Sequence, residues 1–243
     1  MLLFSQPRRR ARGATWGRIM KKIALVLCAA LLSTPALASN FDGPYGGFDL
    51  GYVRGHDKGH EFSSGVPDTY AQKTLPGGAL FGGVLGYNKV LGNNFVVGLE
   101  GDAELRVASD NNVQHNSGAP DARYPTKTSL RNALSVRPRL GYVFYQDTSM
   151  VFVSAGFASA GVRRTFSDAS IPQSQSSTKQ ENGWTAGLGL DHIISTNMAL
   201  RVEGRYSDYG RDNVSANVVF GAGYVERQSY REETLRTALL FHF

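Results

Sequence analysis

One short segment combines residue types that bind metals. Residues His56 to Glu61, "HDKGHE", carry two imidazoles and two carboxylates. Side chains four positions apart converge in a turn or a helix, so the two imidazoles and two carboxylates could bind a metal there. A polar loop contains the same residue types without any such role, and we interpret the segment as a loop. The sequence therefore predicts no metal site and no other cofactor.

Acyl transfer is a second chemistry that the composition allows. It needs a nucleophilic serine beside a histidine and a carboxylate. Among the five histidines, His192 and His242 lie near strand ends, on the side of the short connections between predicted strands. They are therefore separated from the serine-rich long connections, and we predict that the protein is not an enzyme.

A larger set of charged residues alternates with apolar ones along several segments. In the segment from Phe95 to Val107, the apolar residues share one face, and three carboxylates and an arginine share the other. The following segment carries arginines in the corresponding positions, which indicates ion pairs between neighbouring strands. We predict a buried ion-pair network formed by Asp49, Glu100, Asp102, Glu104, Arg106, Arg131, Arg137, Arg139, Asp191, Arg201, Glu203, Arg205 and Arg236.

The elements that position these residues are strands, because alternation with period two recurs and no helical spacing is sustained. The connections after the first, third, fifth and seventh strands are long, and the other three are short. This alternation predicts an all-β, eight-stranded antiparallel up-and-down transmembrane β-barrel. The predicted strands are Tyr45 to Val53, Ala79 to Lys89, Phe95 to Val107, Ser129 to Tyr145, Met150 to Val162, Gly183 to Ile193, Met198 to Tyr206 and Tyr230 to Phe243.

A soluble β-sandwich or barrel would show the same alternation in any single strand, with its charged face in water. The pairing of carboxylates with guanidinium groups on successive strands favours a narrow lumen instead. An eight-stranded barrel is just wide enough for side chains to fill, so such ion pairs can be buried together. The predicted network is close to charge balance, which favours a filled interior over an open pore.

The amino-terminal residues have the pattern of an export signal. Met20 and two lysines precede an apolar run, and small residues at Ala36 and Ala38 suit cleavage. We predict a leader at residues 1–38, with a start at Met20 as an alternative, and a barrel domain at residues 39–243. Seven of the 26 basic residues precede residue 39, so the rest is nearly neutral, with 19 basic and 20 acidic residues. This balance argues against nucleic-acid binding.

The carboxyl terminus alternates apolar residues and ends on an aromatic one. Leu239, Phe241 and Phe243 resemble the carboxyl-terminal insertion signal of Gram-negative outer-membrane barrels. The stretch from Gly183 to Gly210, "GWTAGLGLDHIISTNMALRVEGRYSDYG", is similar to a hairpin of the opacity and OmpA-like small barrels of the alphaproteobacterial porin-family type. The segments "YGGFDLGY", "VVGLEGDAEL" and "SVRPRLGY" resemble three further strands of that group. The sequence departs from the group's pattern at Gly204, Thr237 and His192.

The resemblance implies a protein of the outer membrane of a Gram-negative bacterium, exported by the general secretory pathway. Its expected partners are membrane lipid and lipopolysaccharide, periplasmic chaperones, the barrel assembly machinery, and host or surface ligands at the loops. The leading functional prediction is a structural barrel that supports the envelope and displays four surface loops. The alternatives are a narrow channel for small solutes and a secreted barrel that binds a small ligand.

Overall fold

The computed structural model describes residues 40–171, 173–215 and 217–243. The predicted leader, residues 1–38, lies outside the described residues. Nine antiparallel strands account for most of the described chain: β1 (Gly43–Ser63), β2 (Val66–Thr74), β3 (Gly77–Val90), β4 (Phe95–Asn116), β5 (Ala119–Phe144), β6 (Ser149–Asp168), β7 (Gln173–Ser195), β8 (Met198–Ser215) and β9 (Tyr224–His242). A 3-10 turn covers Gly92–Asn94, and a short helix α1 covers Asn217–Phe220. Neither helix is long and apolar enough to cross a bilayer.

The sheet closes into a ring of eight strands. Neighbours along the chain pair from β3 to β9, and β1 pairs with both β3 and β9. The closing seam is long, since its register runs from Tyr45 opposite His242 to Ser63 opposite Tyr224. A closed ring has no free edge, as a strand protein in a bilayer requires. The prediction of an eight-stranded up-and-down barrel is therefore confirmed.

The ninth strand arises because one barrel strand is interrupted. The chain breaks between β2 and β3, where Pro76 cannot donate a backbone hydrogen bond. The Pro76 carbonyl instead accepts a bond of 2.7 Å from the Gly55 amide. β2 continues the line of β3, and its register pairs it with β1 and, near the tip, with β4.

The long loops predicted from the sequence are mostly strand, and this part of the prediction was wrong. β4 and β5 continue for many residues beyond the predicted strands and join at Ser117 and Gly118, which both have positive φ. These extensions have polar residues on both faces, because one face meets water and the other a polar lumen. The apolar alternation that reveals a strand is absent from such a sequence.

The outward face has two zones. On β1, the outward residues Phe48, Leu50 and Tyr52 are 74%, 63% and 56% exposed, whereas the next outward residues, Arg54 and His56, are polar. The same change occurs on β9 between Leu235 and Glu233. A band of exposed apolar side chains bounded by polar residues is typical of a barrel that crosses hydrocarbon. We call this zone the apolar band and the strand segments beyond it the distal extensions.

Both ends of the lumen are filled by apolar side chains. At the end nearest the carboxyl terminus, Phe41 packs in a cluster with Val96, Val143 and Met150. In the distal extensions, Val219 of α1 packs with Phe166 and Val214. Tight packing in between depends on glycine at Gly86, where an added Cβ would overlap the buried ring of Tyr45.

Candidate functional site

The centre of the lumen is organised around Glu100 of β4. Its carboxylate accepts hydrogen bonds from the Tyr45 hydroxyl at 2.6 Å and from Arg139 at 3.1 Å, and also from Arg137 and Arg201. All five side chains are almost completely buried. They come from β1, β4, β5 and β8, so this one carboxylate connects strands around the ring.

A second carboxylate binds two of the same arginines. Asp191 of β7 accepts hydrogen bonds from Arg139 at 2.9 Å and from Arg201 at 2.6 Å and 2.9 Å. The guanidinium carbons of Arg139 and Arg201 lie 3.9 Å and 4.7 Å from the centre of the Phe152 ring. Ion pairs and the cation–π contacts together compensate the arginines for the water that they lose on burial.

The next layer toward the distal extensions is also made of ion pairs. Arg205 donates to Asp102 at 3.0 Å and pairs with Glu203 at 2.9 Å. Arg236 of β9 pairs with Asp49 at 3.0 Å and also contacts Glu104. The network therefore continues across the closing seam between β9 and β1.

Glu232 ends this central network at the level where the apolar band finishes. It accepts two hydrogen bonds from Arg106, at 2.6 Å and 2.8 Å, and one each from the hydroxyls of Tyr209 and Tyr230. A bidentate arginine pair with further hydrogen bonds is the geometry in which a buried ion pair is best satisfied. The cavity within the network has a volume of about 10 Å³, which is close to the space of one water molecule.

The structure brings twelve of the thirteen predicted network residues together in the lumen, and Arg131 is the exception. Arg131 is exposed on the outside of the barrel. The register shifts on both sides of it, between Leu105 and Ala108 on β4 and between Leu130 and Ala133 on β5. This bulge places Arg131 and Asn132 outward in succession and reverses the alternation for the residues before it. The prediction that Arg131 faces the lumen was therefore wrong.

Sequence analysis missed a second group of ion pairs, which lies inside the distal extensions. Arg164 of β6 bonds to both oxygens of Asp57, at 2.8 Å and 2.9 Å, and to Glu181 at 2.6 Å. All three residues fall in segments predicted to be loops, whereas Glu232 lies in the predicted strand Tyr230 to Phe243 but was not included in the predicted network. Asp57 and Glu61 keep the inward phase of Asp49 on β1, and this continued phase was the available signal.

The buried charges are less balanced than the sequence indicated. Twelve carboxylates and seven arginines are buried among the described residues. Within that part of the chain, Glu61 and Glu226 are buried without an arginine or lysine partner. They lie directly opposite each other on β1 and β9, and Glu226 accepts hydrogen bonds from the amides of Gln72, Gln114 and Gln228.

Burial shifts the protonation of these two carboxyl groups, which lie well beyond the apolar band. Burial, with the nearby Asp68 carboxylate, raises the pKa of Glu61 from 4.5 to about 7. Burial, with the Glu61 carboxylate, raises the pKa of Glu226 well above its ordinary value. The folded state therefore holds protons that the unfolded state releases above pH 4.5. The stability contributed by protonated Glu61 is complete below pH 4.5 and is lost as the pH rises through its folded-state pKa of about 7.

The substitution Glu61→Gln tests this charge excess. Because it removes the ionisation, we expect the variant to exceed the wild type in free energy of unfolding by about 2 kcal/mol at pH 8 and to match it at pH 4. Urea unfolding in detergent at both pH values measures the difference. Glu233→Gln, at an exposed outward position, is the control and should show no such pH dependence. Equal stability of Glu61→Gln and wild type at pH 8 would contradict the assignment.

The residues predicted to form an insertion signal lie on the outward face of β9 and directly after it. Leu239 and Phe241 are partly exposed, and Phe243 is 45% exposed. The amide of Phe243 donates to the Pro44 carbonyl at 3.1 Å, so the terminal residue takes part in closing the ring.

The histidines and carboxylates that suggested metal chemistry do not converge. Of the residue types needed for acyl transfer, Ser149 Oγ and His192 Nδ1 lie 2.9 Å apart, and no carboxylate bonds to His192 among the described residues. His56 and His60 face outward on β1, whereas Asp57 and Glu61 face the lumen. No cluster of three or more His, Cys, Asp or Glu side chains suited to a metal occurs within the described ranges. His115 and Ser117 lie at the tip of the β4–β5 hairpin, where the Ser117 hydroxyl donates to Asn116 at 3.3 Å.

A closed eight-stranded ring with an outward apolar band and a charged, filled lumen defines an outer-membrane β-barrel. Residues 24–225 match the family described as outer membrane protein beta-barrel domain, and the chain belongs to this family. The 31 kDa outer-membrane immunogenic protein of Brucella melitensis is 30% identical over 221 residues, which cover 80% of this chain and 90% of that protein. The Brucella suis protein of the same description matches equally.

A solved structure supports the fold. The outer membrane protein OprG of Pseudomonas aeruginosa superimposes with a TM-score of 0.50 at 11% identity, covering 86% of this chain and all of that one. The likeness supports the fold alone, and the family and the Brucella relatives place the protein in the outer membrane of Gram-negative bacteria.

Proposed function

We propose that the protein is a structural barrel that contributes to envelope integrity and carries no catalytic activity. The observation that carries the proposal is the filled lumen, where arginines and carboxylates leave a cavity of only about 10 Å³ in the central network. A rigid, closed barrel stiffens the membrane around it without opening a path through it. In this proposal, the four distal hairpins display surfaces for contacts outside the cell.

The relatives support the display of surfaces. The Brucella proteins are named immunogenic, which fits proteins with parts accessible at the cell surface. In this chain, the distal extensions of β4 and β5 would carry such surfaces beyond the membrane. The proposal includes export by the general secretory pathway, delivery by periplasmic chaperones, and recognition of Leu239, Phe241 and Phe243 by the assembly machinery.

Planar-bilayer recording distinguishes the structural barrel from the narrow channel. We expect no stable conductance step from the purified, heat-modifiable barrel, because the arginines that fill the lumen are held by two or more partners each. A strain that lacks the protein should take up more of a hydrophobic dye, and the wild-type gene should restore the barrier. Stable ion-conducting steps in the absence of denaturant would support the channel instead. Unchanged dye uptake in the deletion strain would contradict a role in envelope integrity.

A further inference from the structure

Three outward cations lie together where the apolar band ends. Arg163 of β6 is directly opposite Ser129 of β5, and Lys127 and Arg131 are the outward neighbours of Ser129 on the same strand. Diagonal neighbours on one face of a sheet lie about 7–8 Å apart, within reach of long side chains. The three positive charges therefore share one small area of the barrel wall.

These cations line a groove that contains no carboxylate. The groove has a volume of about 670 Å³, and its lining includes hydroxyl groups of Ser109, Ser129 and Thr165 beside the three cations. None of the three has an ion-pair partner in the described part of the chain. Three like charges without a counter-charge repel one another, so the arrangement favours an anion that contacts them together.

The bulge in β5 creates this cluster. It turns Arg131 outward, where regular alternation would direct it into the lumen. Gly161 on the neighbouring strand leaves the space beside it, since an added Cβ would lie 3.3 Å from the Cβ of Arg131. The local irregularity thus turns both Lys127 and Arg131 outward, beside Arg163, which faces outward on the regular part of β6.

The groove is continuous with the apolar band. Val107 lines it and is 71% exposed, and Leu105 and Leu134 follow on the membrane side, each at least half exposed. A ligand that fills both parts carries acyl chains next to an anionic headgroup. At the outer end of an outer-membrane barrel, this is the chemistry of a phosphorylated glycolipid of the outer leaflet.

We propose that this groove is a specific binding site for the phosphorylated headgroup of an outer-leaflet glycolipid. Lys127, Arg131 and Arg163 contact the phosphate, the three hydroxyls donate to phosphate or sugar oxygens, and the apolar band packs against the acyl chains. The site lies on the outside of the barrel, so it does not depend on whether the lumen conducts.

A second groove on the outward face provides a matched control. It has a volume of about 630 Å³ and is also rich in cations, including Lys58, Arg211 and Arg227. Two carboxylates, Asp68 and Glu233, line it as well. The positive electrostatic field of this second groove is therefore partly neutralised, although its number of cations is similar to that of the first groove.

The test is binding of fluorescent bisphosphorylated lipid A to the purified barrel in non-ionic detergent. One variant changes Lys127, Arg131 and Arg163 to Ser, and the control changes Lys58, Arg211 and Arg227 to Ser. We expect at least a tenfold loss of affinity in the first variant and less than a threefold loss in the control. Dephosphorylated lipid A should bind the wild type at least tenfold more weakly. Heat-modifiable gel migration shows whether each variant is folded. If the triple variant does not fold, Arg163→Ser alone replaces it, and we expect this single change to lower the affinity for lipid A severalfold.

Three results would overturn the proposal. Equal losses in both triple variants would mean diffuse electrostatic attraction. Displacement of the lipid by millimolar inorganic phosphate would mean an anion site that does not recognise lipid. Wild-type lipid binding by the first variant, together with loss of binding to a soluble sulfated polysaccharide, would assign the groove to a soluble polyanion.

Discussion

Glu100→Ala is expected to lower the free energy of unfolding of the barrel by about 3–5 kcal/mol, because it leaves buried arginines without their shared carboxylate. Arg137, Arg139 and Arg201 all donate to Glu100, and the Tyr45 hydroxyl adds a fourth contact. In this variant Asp191 still binds Arg139 and Arg201, but the positive charge of the arginines that Glu100 had bound then exceeds the nearby negative charge. Urea unfolding in detergent measures the change in unfolding free energy. In gels, the variant should lose its folded, heat-modifiable migration at a lower temperature than the wild type.

A carboxylate outside the lumen supplies the control for this experiment. Glu233 is exposed on the outward face of β9, beyond the apolar band. Glu233→Ala should change the free energy of unfolding by no more than about 0.5 kcal/mol. If Glu100→Ala were as stable as Glu233→Ala, the account of a lumen held together by ion pairs would be wrong.

The second large effect on stability is expected for a substitution on the outward face of the barrel wall. Leu188 is 60% exposed near the centre of the apolar band on β7. Leu188→Arg places a charge in hydrocarbon, and we expect it to destabilise the barrel in lipid vesicles by about 2–4 kcal/mol. Reversible urea unfolding in vesicles, followed by tryptophan fluorescence, gives the difference.

The same substitution on the same strand and face provides the comparison. Ser174 is an exposed outward residue of the distal extension of β7. Because water is the solvent there, Ser174→Arg should leave the free energy of unfolding within about 0.5 kcal/mol of the wild type. If Leu188→Arg and Ser174→Arg lowered the free energy of unfolding by similar amounts, the apolar band would not be in contact with hydrocarbon.

The sequence predicted the ring because the apolar band imposes strict alternation on each strand that crosses it. The eight predicted strands correspond to the parts of the chain within or near this band. The distal extensions escaped prediction, since a strand between water and a polar lumen has no apolar face to reveal it. For the same reason Arg164, Asp57 and Glu181 were not recognised as lumen residues.

Arg131 shows a different limit. Its position was inferred by counting alternate residues from Arg137, which is valid only while the strand is regular. A bulge adds a residue without a reliable signal in one sequence, and every side chain beyond it changes face. The charge balance of the lumen was misjudged for both reasons, because one arginine lies outside and several carboxylates lie in unrecognised strand.

The central claim is that the exposed apolar side chains of the band touch lipid, and nitroxide accessibility tests it most directly. The one cysteine of the sequence, Cys28, lies in the predicted leader, so single cysteines can be labelled cleanly. Labels at Leu99 and Leu188 in vesicles should collide often with oxygen and rarely with a water-soluble nickel chelate. Labels at Lys58 and Ser174 should show the reverse. Free access of the nickel chelate to all four outward positions would show that water is the solvent of the band and would contradict the account.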